Sequence, residues 1–339
     1  MIEKKLISIH LNSNNPENFE KLILSLVKNT ENIELVEIIV SIDLGDKSMK
    51  DTIKKFNRKY SNFINYIETD LIKTFADAWK PLNLLLEETS STVKFISCIS
   101  DNLRFETKGW DKIILSYDNY YKDNIFRIRC SKHRNETYQD IWDCGYKPDA
   151  YSFYSMSWLK ITKIWNPCIG PDTFQECVSF YMKIYGDKFN RNLIESNINF
   201  SGQEVSSGLN LKTRIQRTRI YYKAFFLLMS YKNQKIANDK AYDLVSAISD
   251  IDKNKILISK KLIISNFFRR FNFFYYRGSP NHFIDSKIKN IIFFIWCYIN
   301  IFDSLLIKII YYINNKNLLD KFIKNKKQAE HLKNIINHE

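Results

Sequence analysis

The chain has 339 residues, 45% of them hydrophobic and 26% charged, which allows a sizeable core and excludes a globally disordered protein. Its net charge of +14 is uneven: residues 251–339 carry 16 Lys/Arg against 6 Asp/Glu, while residues 1–250 carry 35 against 31. The length fits one large domain with an appendage, and the basic surplus belongs to that C-terminal end.

Residues 1–11 place charges before a short apolar run that lacks the length and the small-residue cleavage site of a signal peptide, so residues 6–11 read as a first strand. Six scattered cysteines (Cys98, Cys130, Cys144, Cys168, Cys177, Cys297) include no C-x-x-C pair. That pattern predicts reduced thiols in a cytoplasmic protein rather than a zinc ribbon. A polar loop then leads to Pro16, which opens a helix with Phe19, Leu22, Ile23, Leu26 and Val27 at helical spacing. Residues 36–42 form a continuous apolar run of the kind found in parallel sheets, ending at Asp43. A helix over about 48–60, a strand over 63–67, a helix over 75–88 and a strand over 93–99 follow. Strand–helix alternation with short loops predicts an α/β layered fold, a Rossmann-like and mostly parallel sheet flanked by helices.

After residue 100 the rhythm changes. A short strand or turn precedes a helix from Trp110, and strands are predicted over 125–129 and 150–156. A helix over 172–184 is closed by Gly186, and residues 189–200 read as one more strand. From about residue 211 nearly everything reads helical. These shifts divide the chain into residues 1–215 and a C-terminal α-helical region, 216–339.

Ligands of open α/β sheets bind outside the carboxyl ends of the strands. Three polar clusters occupy such positions: Asn12 and Asn14 after the first strand, Asp43 after the second, and Ser100, Asp101 and Asn102 after the fourth. They are expected to converge on one crevice. No G-x-G-x-x-G follows the first strand and no P-loop is present, which argues against a dinucleotide enzyme or a P-loop NTPase. A nucleotide site here would be built from side chains. Taken alone, Asp101-Asn102 also reads as a solvated turn that ends a strand.

Three segments together resemble the family 2-like GT-A glycosyltransferases. Asn12-Ser-Asn14-Asn-Pro16 with Leu24-Ser-Leu26 follows that family's T-x-N-R-P loop and L-x-S-L helix, with Asn15 where Arg is usual. Glu37-Ile-Ile-Val-Ser-Ile-Asp43-Leu-Gly45 follows its second strand. Asp101-Asn102-Leu-Arg-Phe105-Glu-Thr107-Lys-Gly109-Trp110-Asp111 matches an acidic strand end followed by F-x-T-x-G-W-D, the most specific match in the chain. The resemblance spans about residues 6–225. It implies a GT-A fold and transfer of a sugar from a nucleoside-diphosphate donor to a saccharide, lipid-linked or protein acceptor, with inversion. Asp43 would then hold the nucleotide, and Asp101 with Asn102 a Mg²⁺ or Mn²⁺ ion on the diphosphate.

The departing diphosphate gathers negative charge, and hard divalent cations prefer carboxylate oxygens. Where the family has two or three acids, this chain has Asp101 alone, so weak metal affinity, metal-independent transfer and a degenerate domain that binds without transferring all stay open. Inversion needs a carboxylate base on the acceptor hydroxyl. Asp172 and Glu176, four apart on one helix face, are the two candidates, and Asp172 equally suits an N-cap. The family's later His has no counterpart before Gly202; Lys212, Arg214, Arg217 and Arg219 are alternative diphosphate contacts or a solvated basic face. His10 reads as a core histidine. Trp79, Trp142, Trp158 and Trp165 suit either core packing or sugar stacking.

The C-terminal region carries thirteen aromatic residues over 267–302, interleaved with Arg269, Arg270 and Arg277. Its apolar runs are too short to span a bilayer. Such helices suit either the inner membrane surface or packing on the catalytic domain or on a second subunit of a homo-oligomer. No RRM, KH or helix-turn-helix pattern accompanies them, so no nucleic-acid partner is expected.

Overall fold

The computed structural model describes residues 4–60, 62–72, 77–130, 151–168, 171–194, 198–202 and 231–249. In chain order the elements are β1 (Ile7–Asn12), α1 (Pro16–Asn29), β2 (Val36–Asp43), α2 (Lys47–Tyr60), β3 (Ile64–Thr69), α3 (Leu82–Glu87), β4 (Phe95–Cys98), β5 (Arg104–Phe105) and α4 (Trp110–Leu115). They continue with β6 (Arg127–Arg129), β7 (Phe153–Ser155), α5 (Met156–Thr162), α6 (Pro171–Tyr185), β8 (Asn192–Ile194), β9 (Phe200–Ser201) and α7 (Tyr231–Ala247).

Seven strands form one sheet in the order β3-β2-β1-β4-β7-β6-β8. β3, β2, β1 and β4 are parallel, and among the described strands of this sheet only β7 runs against the rest. The predicted α/β, mostly parallel sheet is present, and β5 pairs with β9 in a separate two-stranded ribbon.

Alternation along the central strands sorts side chains into two cores. Ile7, Ile9 and Leu11 of β1 and Val36, Ile38, Val40 and Ile42 of β2 face α1 and α2, meeting Phe19, Leu22, Ile23, Leu26, Met49, Ile53 and Phe56. Each such fully buried side chain contributes about 1.5–3 kcal/mol. Ile39 and Ile96 face the other way, toward α3, α5, α6 and α7. Ala237, Ala241, Leu244 and Val245 of α7 pack in that same second core. Residues 231–247 of the predicted helical region therefore share a core with the sheet, while residues 250–339, including the aromatic-basic stretch, lie outside the described residues.

Local chemistry sets the helix starts. The Asn15 side chain accepts from the Asn18 N–H at 3.0 Å and Pro16 follows it, so the residue standing where the family has Arg is here an N-cap. Ser155 likewise caps α5, accepting from the Trp158 N–H. The predicted strand over 150–156 is thus shorter and turns into a helix.

Two further expectations change. In the described part of the helix predicted over 75–88, residues 77–81 make turns and the helix begins at Leu82. Pro81 lacks the N–H that a helix from residue 77 would require there. The strand predicted over 189–200 divides into β8, which pairs with β6, and β9, which pairs with β5.

The second core also holds His10. Its Nδ1 accepts from the Trp165 indole N–H at 3.1 Å, and since an indole only donates, the ring proton sits on Nε2 and points to Thr89 Oγ1, also at 3.1 Å. Thr89 donates onward to the Leu85 carbonyl at 3.2 Å. Burial pushes the His10 pKa down from 6.5 to about 3. Below pH 6.5 the unfolded chain takes up a proton that the folded one refuses, so stability falls as pH falls, by about 1.4 kcal/mol per unit. Between pH 7.5 and pH 5, urea unfolding should lose about 2 kcal/mol more in the wild type than in His10→Gln. Parallel pH profiles would show that His10 is not the proton acceptor.

Candidate functional site

The chain leaves β1 toward β2 and β3, then returns across β1 to enter the sheet as β4. α1 and α2 cover one face and α3 the other, so the crossover direction reverses between β1 and β4. Open α/β sheets hold their ligands at such a reversal, outside the carboxyl ends of the strands.

The three predicted clusters meet there. Ser13 Oγ donates to Asp101 Oδ2 at 2.8 Å, joining the ends of β1 and β4. Asn14 Nδ2 donates to Asp43 Oδ2 at 3.4 Å, joining the ends of β1 and β2. Asn12 Nδ2 donates to the Ala78 carbonyl, which ties the turn before α3 to the same edge. Ser100 Oγ donates to Asn102 Oδ1 and lies 3.4 Å from the Tyr151 hydroxyl. Leu44, next to Asp43, is 70% exposed.

Partial burial pushes the Asp101 carboxyl above its usual range. The Ser13 hydroxyl, the Arg104 guanidinium and the N–H groups of Asp101 and Asn102 oppose that rise. A desolvated carboxylate of this kind suits a cation arriving with its own anionic ligand. Among the described residues no three His, Cys, Asp or Glu side chains converge as a metal cage. One carboxylate, with Asn102 beside it, fits a Mg²⁺ or Mn²⁺ ion whose remaining ligands are phosphate oxygens and water.

The F-x-T-x-G-W-D segment explains how Asp101 is held. Phe105 packs on Trp110 with ring centroids 4.7 Å apart, and its carbonyl accepts from Asn29 Nδ2 at 2.7 Å. Thr107 Oγ1 accepts from the Asn199 N–H at 2.7 Å. Gly109 has φ +70 and its N–H donates to the Asn29 carbonyl at 2.7 Å; a side chain there would meet the Glu31 carboxylate. Trp110 Nε1 donates to Thr30 Oγ1 at 2.9 Å, and Asp111 accepts from the N–H groups of Glu31 and Asn32 at 3.0 and 2.9 Å. Phe105, Gly109, Trp110 and Asp111 tie the chain after β4 to the end of α1 and the residues just beyond it, and Thr107 ties it to Asn199, so the segment braces the loop carrying Asp101. Gly202, φ +84, completes the support: a Cβ there would overlap the Asn102 carbonyl oxygen. Glu37, in the second-strand motif, is similarly structural, accepting from the Ser90 N–H at 3.1 Å.

Glu176 is fully buried and accepts from Arg127 Nη2 at 2.7 Å, while Arg127 Nε donates to Asn192 Oδ1 at 2.9 Å. Asp172 lies in the first turn of α6, directly after Pro171. Trp158 and Trp165 are buried in the second core and Trp79 is half-buried; Trp142, Lys212, Arg214, Arg217 and Arg219 lie outside the described residues. Among the described residues no helix is long and apolar enough to cross a membrane.

Three site residues were not singled out in the sequence: Ser13, Arg104 and Tyr151. Ser13 sits inside the polar loop already recognised, and its burial at 5% exposure is what aims it at Asp101. Arg104 and Tyr151 reach the site through pairings of β5 with β9 and β7 with β4, which no local pattern announces.

No family model matches the chain, and no curated relative matches it. Among solved structures it is similar to mannosyltransferase PcManGT from Pyrobaculum calidifontis in complex with GDP-Man and Mn²⁺, at 10% identity over 73% of this chain and 75% of that one, TM-score 0.49. S. aureus TarS 1-349 in complex with UDP-GlcNAc follows at 13% identity, 74% of each chain and TM-score 0.43. Glucosyl-3-phosphoglycerate synthase from Mycobacterium tuberculosis, with Mn²⁺, UDP and glucosyl-3-phosphoglycerate, gives 10% identity, 73% of this chain, 81% of that one and TM-score 0.40. These figures describe a partial overlap of form and assign no chemistry to this chain.

Proposed function

We propose that the crevice binds a nucleoside-diphosphate sugar and that the protein transfers the sugar to an acceptor hydroxyl, as a GT-A type glycosyltransferase. The Ser13–Asp101 hydrogen bond carries this reading, because it sets a desolvated carboxylate at the β1/β4 switch point, where a diphosphate would sit. Asp43, with Asn12 and Asn14, borders the nucleotide, and Asp101 with Asn102 faces the diphosphate. A Mg²⁺ or Mn²⁺ ion bound at Asp101 and Asn102 would supply positive charge to the diphosphate. The acceptor oxygen forms its bond to the anomeric carbon as the bond to the β-phosphate oxygen breaks. The acceptor proton passes to a carboxylate, and the commitment of Glu176 to Arg127 favours Asp172 for that role.

The acceptor is a saccharide, lipid-linked or protein hydroxyl, and the C-terminal region suits recruitment to an anionic membrane surface. Inversion is part of the same proposal. The single carboxylate supports a second reading, a domain that binds the nucleotide without transferring the sugar.

A thermal-shift series with nucleoside diphosphates, with and without Mn²⁺, tests the binding step. A ligand at 100 times its Kd stabilises the native state by about 2.7 kcal/mol, a rise of several degrees. If no nucleoside diphosphate moves the transition in either condition, the site is misassigned. Binding without release of sugar from any donor selects the second reading.

A further inference from the structure

We propose that Arg104 is the protein's own counter-charge for the leaving diphosphate, receiving its oxygens on the Nε/Nη2 edge of the guanidinium. This rests on the nucleotide reading of the crevice and adds a group that reading did not contain.

The geometry separates the two edges of the guanidinium. Nη1 donates to the carbonyls of Asp101 and Leu103, at 2.8 and 2.6 Å. No partner for Nε or Nη2 occurs among the described residues. One edge is thus anchored to the loop that carries Asp101, and the other is left as a planar two-donor fork, the shape that matches phosphate oxygens. Arg104 itself lies in β5, paired with Ser201 of β9, so the ribbon fixes its backbone beside the loop. Placement is therefore fixed before any ligand arrives, so little side-chain entropy is lost on binding.

Charge makes the same case. Among the described residues, Asp101 is the acidic side chain that acts on Arg104, and burial makes the guanidinium less well solvated than on an open surface. A diphosphate brings more negative charge than one carboxylate cancels, so the fork retains a net attraction for it. With a single carboxylate to hold a metal, Arg104 supplies positive charge that a weakly held cation supplies only in part, and nucleoside-diphosphate affinity should persist in chelator.

The test uses the full chain and calorimetric titration with UDP, GDP, uridine and guanosine, in EDTA and in Mn²⁺. In EDTA the wild type should bind one diphosphate more tightly than its nucleoside. Arg104→Gln should weaken the diphosphate by about 10- to 100-fold and the nucleoside by less than about threefold. Arg104→Lys, which keeps the charge without the fork, should fall between them. Equal losses for diphosphate and nucleoside would make Arg104 a structural anchor and overturn the proposal. So would a wild type that binds a diphosphate only with Mn²⁺, or an Arg104→Gln protein that binds as the wild type does. If the wild type binds no diphosphate in either medium, the nucleotide reading itself fails and Arg104 falls with it.

Discussion

Asp101→Asn is expected to lower turnover by about 10²–10³-fold while leaving the ligand-free protein more stable at neutral pH, not less. The two effects have one cause. Burial raises the Asp101 pKa, so the folded state holds the proton longer than the unfolded chain does. As pH rises from the ordinary carboxylate value through the raised one, the unfolded chain ionises first and folding loses stability; above that window the penalty is complete. An amide has the same shape, still accepts from Ser13 Oγ, and pays no desolvation of charge. The stability gain of Asp101→Asn in EDTA should therefore be largest above the raised value and shrink as pH falls through the window. Thermal melts across pH, beside donor turnover with Mn²⁺, separate the readings. A stable variant with near wild-type turnover would remove Asp101 from the chemistry. A variant that melts earlier at neutral pH would show the carboxylate to be a structural anchor.

Glu176→Ala should do the opposite, costing about 3–5 kcal/mol of folding stability by leaving the Arg127 charge buried without its carboxylate. Against a domain stability of about 5–15 kcal/mol, a loss of that size threatens the native state at 37 °C. The pair Arg127→Met with Glu176→Leu should recover most of it, because two apolar side chains replace both charges and leave neither alone. Chemical denaturation of the single and double variants measures the coupling. The outcome that would falsify this structural role is a Glu176→Ala protein within about 1 kcal/mol of wild type that has lost transfer. In that case Glu176, and not Asp172, would be the acceptor base. Because Asp172 lies at the start of α6 and Glu176 one turn later, both roles hang on which way α6 is rotated, and the Glu176–Arg127 pair fixes that rotation.

Much of the sheet could be read from the chain. β1, β2, β3 and β4 carry continuous or alternating apolar runs, and Pro16 at a helix start or Gly186 at a helix end marks boundaries that need no tertiary partner. The three polar clusters were legible for a related reason: each follows directly on a strand, and parallel order places all strand ends on one side. What stayed hidden came from contacts distant in sequence. Residues 189–200 look uniformly strand-like, yet Asn192–Ile194 joins β6 and Phe200–Ser201 joins β5, a division decided by which partner each half meets. Glu176 and Asp172 share a helix face by spacing, and nothing local says that Arg127, 49 positions earlier, occupies the space before Glu176.

The sequence alone determined the α/β class, the order of the first four strands along the chain and the positions of Asn12, Asn14, Asp43 and Asp101 at strand ends. Those features depend on short-range periodicity and capping, which a dozen neighbouring residues encode. Only the tertiary structure decided that β4 returns beside β1, that Ser13 and Arg104 converge on Asp101, and that the F-x-T-x-G-W-D residues brace the loop that carries Asp101. The reason is physical: side-chain burial, hydrogen-bond partner and pKa depend on what lies across the fold, 80 or so residues away along the chain.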